Sequence, residues 1–293
     1  MTTTAAAGIT LAQLTTWRVG GPVRRLIESS DATLLAREVS DSLERGHPWT
    51  VLGKGSNILA ADEGFDGTIL RLQDDPRAVK VSGNEVHAPA GLANGLVVKA
   101  AMTAGLGGLA FLSSIPGTLG GAVFMNAGAH GVQTHEVLAR ALVLRPGYSP
   151  EWWPPEAFGF GYRHSCLQHQ QALVLEVVLR GRPAPPQETR AEIQALAAWR
   201  RARQPQEPSA GSVFRNPEGT SAGHLIEAAG LKGLRIGDAC VSPMHANFIV
   251  NCGHATARDM NKLIATVRAR VHETHGLWLH PEVRGLGVEV GRP

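Results

Sequence analysis

Two glycine-bearing stretches carry the first chemical signal. Ile115-Pro116-Gly117-Thr118-Leu119-Gly120-Gly121-Ala122-Val123-Phe124-Met125-Asn126-Ala127-Gly128-Ala129-His130-Gly131 contains no charged residue apart from the ionisable His130. Glycine is retained where backbone must take positive φ or lie close to something. Linkers of this composition are polar, whereas this one holds Ile115, Leu119, Val123, Phe124 and Met125 and is expected to be buried as a loop. Buried irregular backbone leaves N–H groups that need acceptors. The second stretch, Gly53-Lys54-Gly55-Ser56-Asn57, follows the β-prone run Trp49–Leu52 and offers backbone N–H groups and a hydroxyl to a pyrophosphate. Alone it reads as a tight turn; together the two suggest main chain wrapped around a large anionic cofactor. Further along, Ser212 stands in Pro208-Ser-Ala-Gly-Ser-Val-Phe-Arg-Asn-Pro217, where a turn residue is the simplest reading. Glu282 stands between Pro281 and Val283. Partial burial there would raise its pKa; an ion pair with Arg284 is the alternative.

The elements that must position these residues alternate between strand and helix character. Thr68–Leu72, Val137–Leu144 and Leu173–Leu179 read as strands. Apolar spacing predicts a helix between Asp31 and Gly46, with those residues as N-cap and C-cap, and another over Leu92–Gly105. Arg180-Gly-Arg-Pro-Ala-Pro-Pro-Gln187 reads as a linker. After it come a helix over Glu188–Arg203, a loop over Gln204–Gly219, a short helix around Ser221–Ala229 and a strand over Asn247–Asn251. The strongest helix, Thr256–His275, has an apolar stripe of Met260, Leu263, Ile264, Val267 and Val271 and a capping-box pair, Thr256 and Asp259. The reading is α+β, with a boundary near residue 183.

Several chemistries fail on spacing. No phosphate-binding P-loop string is present, and Gly105-Leu-Gly107-Gly-Leu-Ala110 follows a helix rather than the strand a dinucleotide turn requires. His272-Glu-Thr-His275 is one residue short of a zincin pair, and no metal constellation is expected. Ser212 lacks the nucleophile-elbow context of a hydrolase. A net charge of +3 is too balanced for a nucleic-acid binder, though it suits small anionic substrates. The N-terminal residues lack a signal-peptide pattern and no apolar run is long enough to span a membrane. Three cysteines without metal spacing suit a reducing compartment, so the cytoplasm is the expected location.

As an ordered set the motifs resemble those of the UDP-N-acetylenolpyruvoylglucosamine reductase (MurB) family. The matches are Thr16-Trp-Arg-Val-Gly-Gly-Pro22, Leu52-Gly-Lys-Gly-Ser-Asn-Ile-Leu59, Asp62-Glu-Gly-Phe-Asp-Gly67, Ile115–Ala122, Met125–Gly128, Phe160-Gly-Tyr-Arg-His-Ser165, Ser209–Pro217, Ala229-Gly-Leu-Lys-Gly233 and Leu279-His-Pro-Glu-Val-Arg284. The resemblance implies a two-part FAD-binding domain of the vanillyl-alcohol-oxidase (PCMH) type over 1–183, split near residue 75. A smaller α/β substrate domain over 184–281 and a C-terminal segment, 282–293, would follow. It implies tightly bound FAD held by Arg18, Gly53, Lys54, Gly55, Ser56, Asn57, Ile115, Pro116, Gly117, Thr118, Gly120, Gly121, Ala122, Asn126 and Gly128. NADPH is the implied hydride donor and UDP-N-acetylglucosamine enolpyruvate the substrate, reduced to UDP-N-acetylmuramate for peptidoglycan. Ser212 matches the proton donor, Arg163 and Glu282 the residues that stabilise an enolate, and Arg203 and Asn216 substrate contacts. A monomer is expected.

Two departures stand out. The longer branch of the family closes its substrate channel with a tyrosine between the Arg163 and Ser212 positions. This chain has only Tyr148 and Tyr162, so it resembles the shorter, loop-lacking branch. Ser114 stands where glycine is usual. The competing readings are a flavin-linked alcohol or sugar oxidase, which would need a base that no histidine motif supplies, and a non-catalytic flavin- or nucleotide-binding protein.

Overall fold

The computed structural model describes residues 3–4, 8–73 and 75–292. They fall into two compact units, and the chain passes between these more than once. The first unit is built chiefly from Arg25–Gly53 and Gly67–Arg200, the second from Ala6–Arg24, Lys54–Asp66 and Arg201–Pro293.

In the first unit, Asp31 starts the helix Ala32–Glu44 by accepting from the N–H groups of Thr33 and Leu34 at 2.8 and 3.3 Å. Gly46, at φ +64°, ends it by donating to Leu43 O. The helix turns Leu35 and Val39 onto Ile27, Trp49 and Leu70 of a four-stranded sheet. That sheet is ordered Thr3–Thr4, Val23–Ser29, Phe65–Leu72, Trp49–Val51, its last pair parallel. A second, antiparallel sheet is ordered Glu151–Trp153, Leu138–Leu144, Leu173–Arg180, Glu85–Pro89, Lys80–Ser82. Its central strand Leu173–Arg180 is apolar along nearly its whole length because both of its faces are covered. On one face lie the helices Asn94–Thr103 and Leu119–Met125, contributing Val97, Val98, Ala101, Leu119, Ala122 and Val123.

The second unit centres on an antiparallel sheet ordered Ser209–Ser212, Phe248–Asn251, Ala239–Val241, Arg235–Ile236. The helix Ala257–His275 contributes the apolar stripe seen in the sequence, and its Thr256/Asp259 capping box is formed. Trp17, Val19 and Leu59 enter the same core from the N-terminal half of the chain. Ile58–Ala60 pairs in parallel with Arg284–Leu286.

Three expectations need correction. The stretch 115–131 is not a continuous loop: Leu119–Met125 is a helix, capped by Thr118 and ended by Asn126 in the left-handed region. Its two glycines hide the helical period, and Gly120 packs tightly, since a Cβ there would stand 3.0 Å from Ala90 Cβ. Residues 180–187 are not a free linker, because Arg182–Pro183 pairs with Leu106–Gly107 and a helix runs from Pro186 to Arg203. That helix buries Thr189 and seats Ile193 on the core of the first unit. Finally, Ser212 ends a strand within what reads as a loop over 204–219.

Candidate active site

Within the first unit the glycine-rich stretch is locked from both ends. Thr118 Oγ1 accepts from Gly121 N–H at 3.3 Å. Leu119 and Gly120 donate to Leu92 O and Ala90 O at 2.9 and 2.8 Å, so these two N–H groups serve the fold instead of a ligand. Gly53 comes against Thr118: a Cβ at Gly53 would stand 2.6 Å from its Oγ1. The two glycine-bearing stretches therefore meet, and only glycine allows that approach. Gly117 takes φ +123° and accepts from Asn94 N–H, while Asn94 Nδ2 donates to Ile115 O at 3.0 Å. Asn94 Oδ1 is buried and has no hydrogen-bond partner among the described residues, an unmet acceptor beside Ile115 and Gly117. Such an acceptor suits a ribose hydroxyl or an adenine amine. A close glycine approach together with a buried acceptor fits a flavin dinucleotide.

Asn126 is buried and makes four polar contacts with three neighbours. Its Nδ2 donates to Gly161 O and Gln133 Oε1, and its Oδ1 accepts from His135 N–H and faces His135 Nδ1. It holds the turn that presents Gly128, whose carbonyl accepts from Arg163 Nη2 at 2.9 Å. A Cβ on Gly128 would lie 3.1 Å from Arg163 Nη1, so glycine makes room for the guanidinium. Arg163 itself sits at φ +55°, an unusual conformation for a residue with a side chain and a mark of a position fixed by its surroundings. Tyr162 lies under the guanidinium at 5.0 Å. Ser114 hydrogen-bonds His130 Nε2 at 3.1 Å, so the serine at the usual glycine position is used within the fold.

In the second unit Gly55 takes φ +61° with no room for a side chain, since a Cβ would stand 2.3 Å from Leu14 O. Its carbonyl accepts from Thr16 N–H, which joins the loop to the segment carrying Arg18. Arg18 is exposed at φ +58° between buried Trp17 and Val19; Lys54 is exposed and Ser56 half-buried. Asn57 Nδ2 donates to Glu282 O at 3.2 Å. Glu282 N–H donates to Val213 O at 2.7 Å, so the peptide of Glu282 is gripped on one side by Asn57 and on the other by the residue after Ser212.

Gly211 at φ +74° bulges the strand ahead of Ser212, which pairs with Phe248. Asn247 then clamps the next residues: its backbone carbonyl takes Val213 N–H, its Oδ1 takes Phe214 N–H and its Nδ2 donates to Phe214 O. Asn216 Oδ1 accepts from Ala222 N–H at 3.1 Å, at the start of the helix Ala222–Ala228. Arg203 is exposed at the end of the helix Pro186–Arg203. The structure thus groups Ser212, Glu282 and Asn57 in one unit, and Arg163, Gly128 and Asn126 in the other.

Sequence reasoning missed Asn247, Asn94 and a pair of arginines. Burial holds the Arg284 guanidinium below its usual range, and neighbouring Arg215 pushes in the same direction. The two guanidinium groups therefore stand close enough to feel each other's charge. The signal for the pair was present in Phe214-Arg215-Asn216 and Val283-Arg284. Asn247 had no comparable mark.

Comparison with known proteins gives the family. Residues 24–147 match the family model of an FAD binding domain, and residues 204–286 that of the C-terminal domain of UDP-N-acetylenolpyruvoylglucosamine reductase. The chain is 44% identical to the UDP-N-acetylenolpyruvoylglucosamine reductase of Rubrobacter xylanophilus, over 94% of this chain and 93% of that one. It is 39% identical to the corresponding Bacillus licheniformis protein, over 94% and 92%. The crystal structure of the Thermus caldophilus reductase superposes with a TM-score of 0.83 at 36% identity, covering 97% of this chain and 99% of that one. With its mixed α+β sheets, its matched FAD-binding segment and this full-length similarity, the chain belongs to the UDP-N-acetylenolpyruvoylglucosamine reductase family.

Proposed function

We propose that this protein reduces the enolpyruvyl ether of UDP-N-acetylglucosamine to UDP-N-acetylmuramate, with NADPH as reductant. Family membership favours this over the oxidase reading. When bound, FAD supplies the hydride, received from NADPH, that adds to the terminal alkene carbon of the substrate. The electron pair of the double bond moves to the adjacent carbon and spreads into its carboxylate as an enolate. One proton on that carbon completes the addition of hydride and proton across the double bond.

Ser212 is the proton donor in this reading. A serine hydroxyl is a weak acid, but the enolate is strongly basic, so donor and acceptor are matched. Arg163 stabilises the developing negative charge. Glu282 acts as an acid or through a shared proton, because a bare carboxylate would oppose that charge. Asn216 and Arg203 contact the nucleotide sugar. Arg18, Gly53–Asn57, Ile115–Thr118, Gly120–Ala122, Asn126 and Gly128 hold the flavin; for Asn126 this is by shaping the turn, since its amide is committed within the fold. We assign cofactor binding to 1–183 and substrate binding to 184–281 with the tail 282–293. Contacts, by comparison, group Arg18 and Lys54–Asn57 with the second unit. Monomeric state and a cytoplasmic setting complete the proposal. Among the described residues, no helix is long and apolar enough to cross a membrane.

The observation that carries the assignment is the 2.7 Å bond from Glu282 N–H to Val213 O, which fixes the acid's backbone beside that of the serine. Its test separates the half-reactions. In Ser212→Ala, anaerobic bleaching of the flavin by NADPH should proceed at nearly the native rate. Reoxidation by the enolpyruvyl substrate should slow by about 10²–10⁴-fold, the size of a lost general acid. Native reoxidation in this variant would remove Ser212 from the role. Recovery of colour with oxygen but not with the enolpyruvyl substrate would return the oxidase reading.

A further inference from the structure

Trp199 stands on the helix Pro186–Arg203 with 41% of its surface exposed, yet it is not a loose surface side chain. Thr189 is buried and Ile193 packs on the core of the first unit, which fixes how the helix is turned. Six residues beyond Ile193, at about 3.6 residues per turn, Trp199 comes roughly 120° round the helix from that seat, on its flank. There it meets His130: the ring centroids are 5.1 Å apart with their planes at 81°, an edge contact. In either T-shaped arrangement at least one indole face stays clear of the imidazole.

His130 is itself held. It lies at φ +56° in the turn between the paired strands Gly128–Ala129 and Val132–Gln133, and its Nε2 hydrogen-bonds Oγ of buried Ser114 at 3.1 Å. Ser114 and His130 therefore brace the indole from within the first unit. The same hairpin receives Arg163, since Gly128 O accepts from Arg163 Nη2. His130 is two residues from Gly128, about 7 Å along an extended strand. Arg203, assigned above to the nucleotide sugar, follows Trp199 by four residues, and side chains four apart share one side of a helix. An open ring face thus neighbours a cation one turn away on its own helix and a hairpin that grips the arginine of the reaction.

We propose that Trp199 is the platform on which the uracil ring of the substrate stacks. This rests on the reading of the substrate as a uridine nucleotide sugar. The uracil lies against the open indole face, and the diphosphate reaches Arg203, where a cation meets its charge. Stacking on an aromatic side chain accepts any base, because every base has a π-face. The platform therefore selects for a flat ring rather than for a hydrogen-bonding pattern. Ser114, at the usual glycine position, gains a purpose: glycine there would remove the hydroxyl that holds His130 and would loosen the brace.

The test titrates the flavin-loaded full chain, by calorimetry, with UDP and with dihydrouridine diphosphate, whose saturated ring is puckered and has no aromatic face. The native protein should bind UDP about 5–100-fold more tightly than the dihydro compound, the size of one base–aromatic stack. Trp199→Ala should weaken UDP by a similar factor and bind the two ligands equally, and Trp199→Tyr should restore most of the preference. In Trp199→Ala, reoxidation of the flavin by the enolpyruvyl substrate should need a higher substrate concentration while keeping its limiting rate. Equal binding of the two ligands by the native protein, a preference that persists in Trp199→Ala, or a loss confined to bleaching by NADPH would each overturn the platform. Those results leave the reductase reading standing as long as the enolpyruvyl substrate reoxidises the native flavin. A native flavin that this substrate does not reoxidise would remove that reading and the platform with it.

Discussion

The role proposed for Ser212 needs a firmly held backbone beside the serine, and neighbouring amides hold it. Asn247 meets three backbone groups of Val213 and Phe214, and Glu282 N–H takes a fourth. The segment also depends on a titrating neighbour. Asn247 N–H donates to His245 Nδ1 at 3.2 Å, an acceptor present only in the neutral ring. Burial, aided by nearby Lys232, lowers the His245 pKa below its ordinary 6.5. The folded state thus disfavours the proton that the unfolded chain would bind. This contribution to stability is intact above the unfolded value and is lost as pH falls through the lower folded value. We expect the urea midpoint to fall between pH 7.5 and 5.5, and His245→Asn, which retains an acceptor, to flatten that dependence. An equally steep profile in the variant would place the titration elsewhere. Among single residues, those that need a special backbone were legible: Gly53, Gly55 and Gly128 all stand where a Cβ would collide. Asn247 and Asn94 were not, because an asparagine that bonds main chain across tens of residues leaves no local pattern.

Elements were legible where their period was clean and illegible where packing replaced it. The helix Ala257–His275 follows its apolar stripe and its cap, whereas Leu119–Met125 exists because Thr118, Leu92 and Ala90 hold its first turn. Short strands such as Val23–Ser29 and the hairpin Lys80–Ser82 with Glu85–Pro89 become strands through their partners, and the sequence reading passed over them. The long helix carries an additional support that sequence alone could not reveal. Asp62 Oδ1 and Oδ2 accept from Ala257 and Arg258 N–H at 2.7 and 3.0 Å, so a distant carboxylate satisfies two amides of the first turn and meets the positive end of the helix dipole. Asp62→Ala should lower unfolding free energy by about 1–2 kcal/mol, the usual worth of a lost helix cap. Asp62→Asn, which keeps one acceptor, should recover part of the loss. Denaturant titration at neutral pH reads both, and an unchanged midpoint in Asp62→Ala would show the Thr256/Asp259 box to be sufficient.

For the molecule as a whole, cofactor binding and stability are linked. A ligand that binds only the folded state raises stability by RT ln(1 + [L]/Kd), about 2.7 kcal/mol at a hundredfold excess over Kd. Protein stripped of flavin should therefore melt at a lower temperature than the loaded form, and its melting temperature should climb with added FAD. Riboflavin, which lacks the dinucleotide, should give a much smaller rise. An equal response to the two would mean that the Gly53–Thr118 approach and the Asn94 acceptor do not recognise the dinucleotide. The chain's path has a consequence for inheritance. Trp17, Val19 and Leu59 are buried with Phe214, Ile249 and Leu279, although they are encoded far from them. A recombination event that moved only residues 204–286 to another gene would transfer that part of the core without its aromatic floor. The C-terminal part of this enzyme is thus poorly suited to serve as an exchangeable cassette. Gene shuffling would be expected to preserve it only together with the N-terminal segments that complete it.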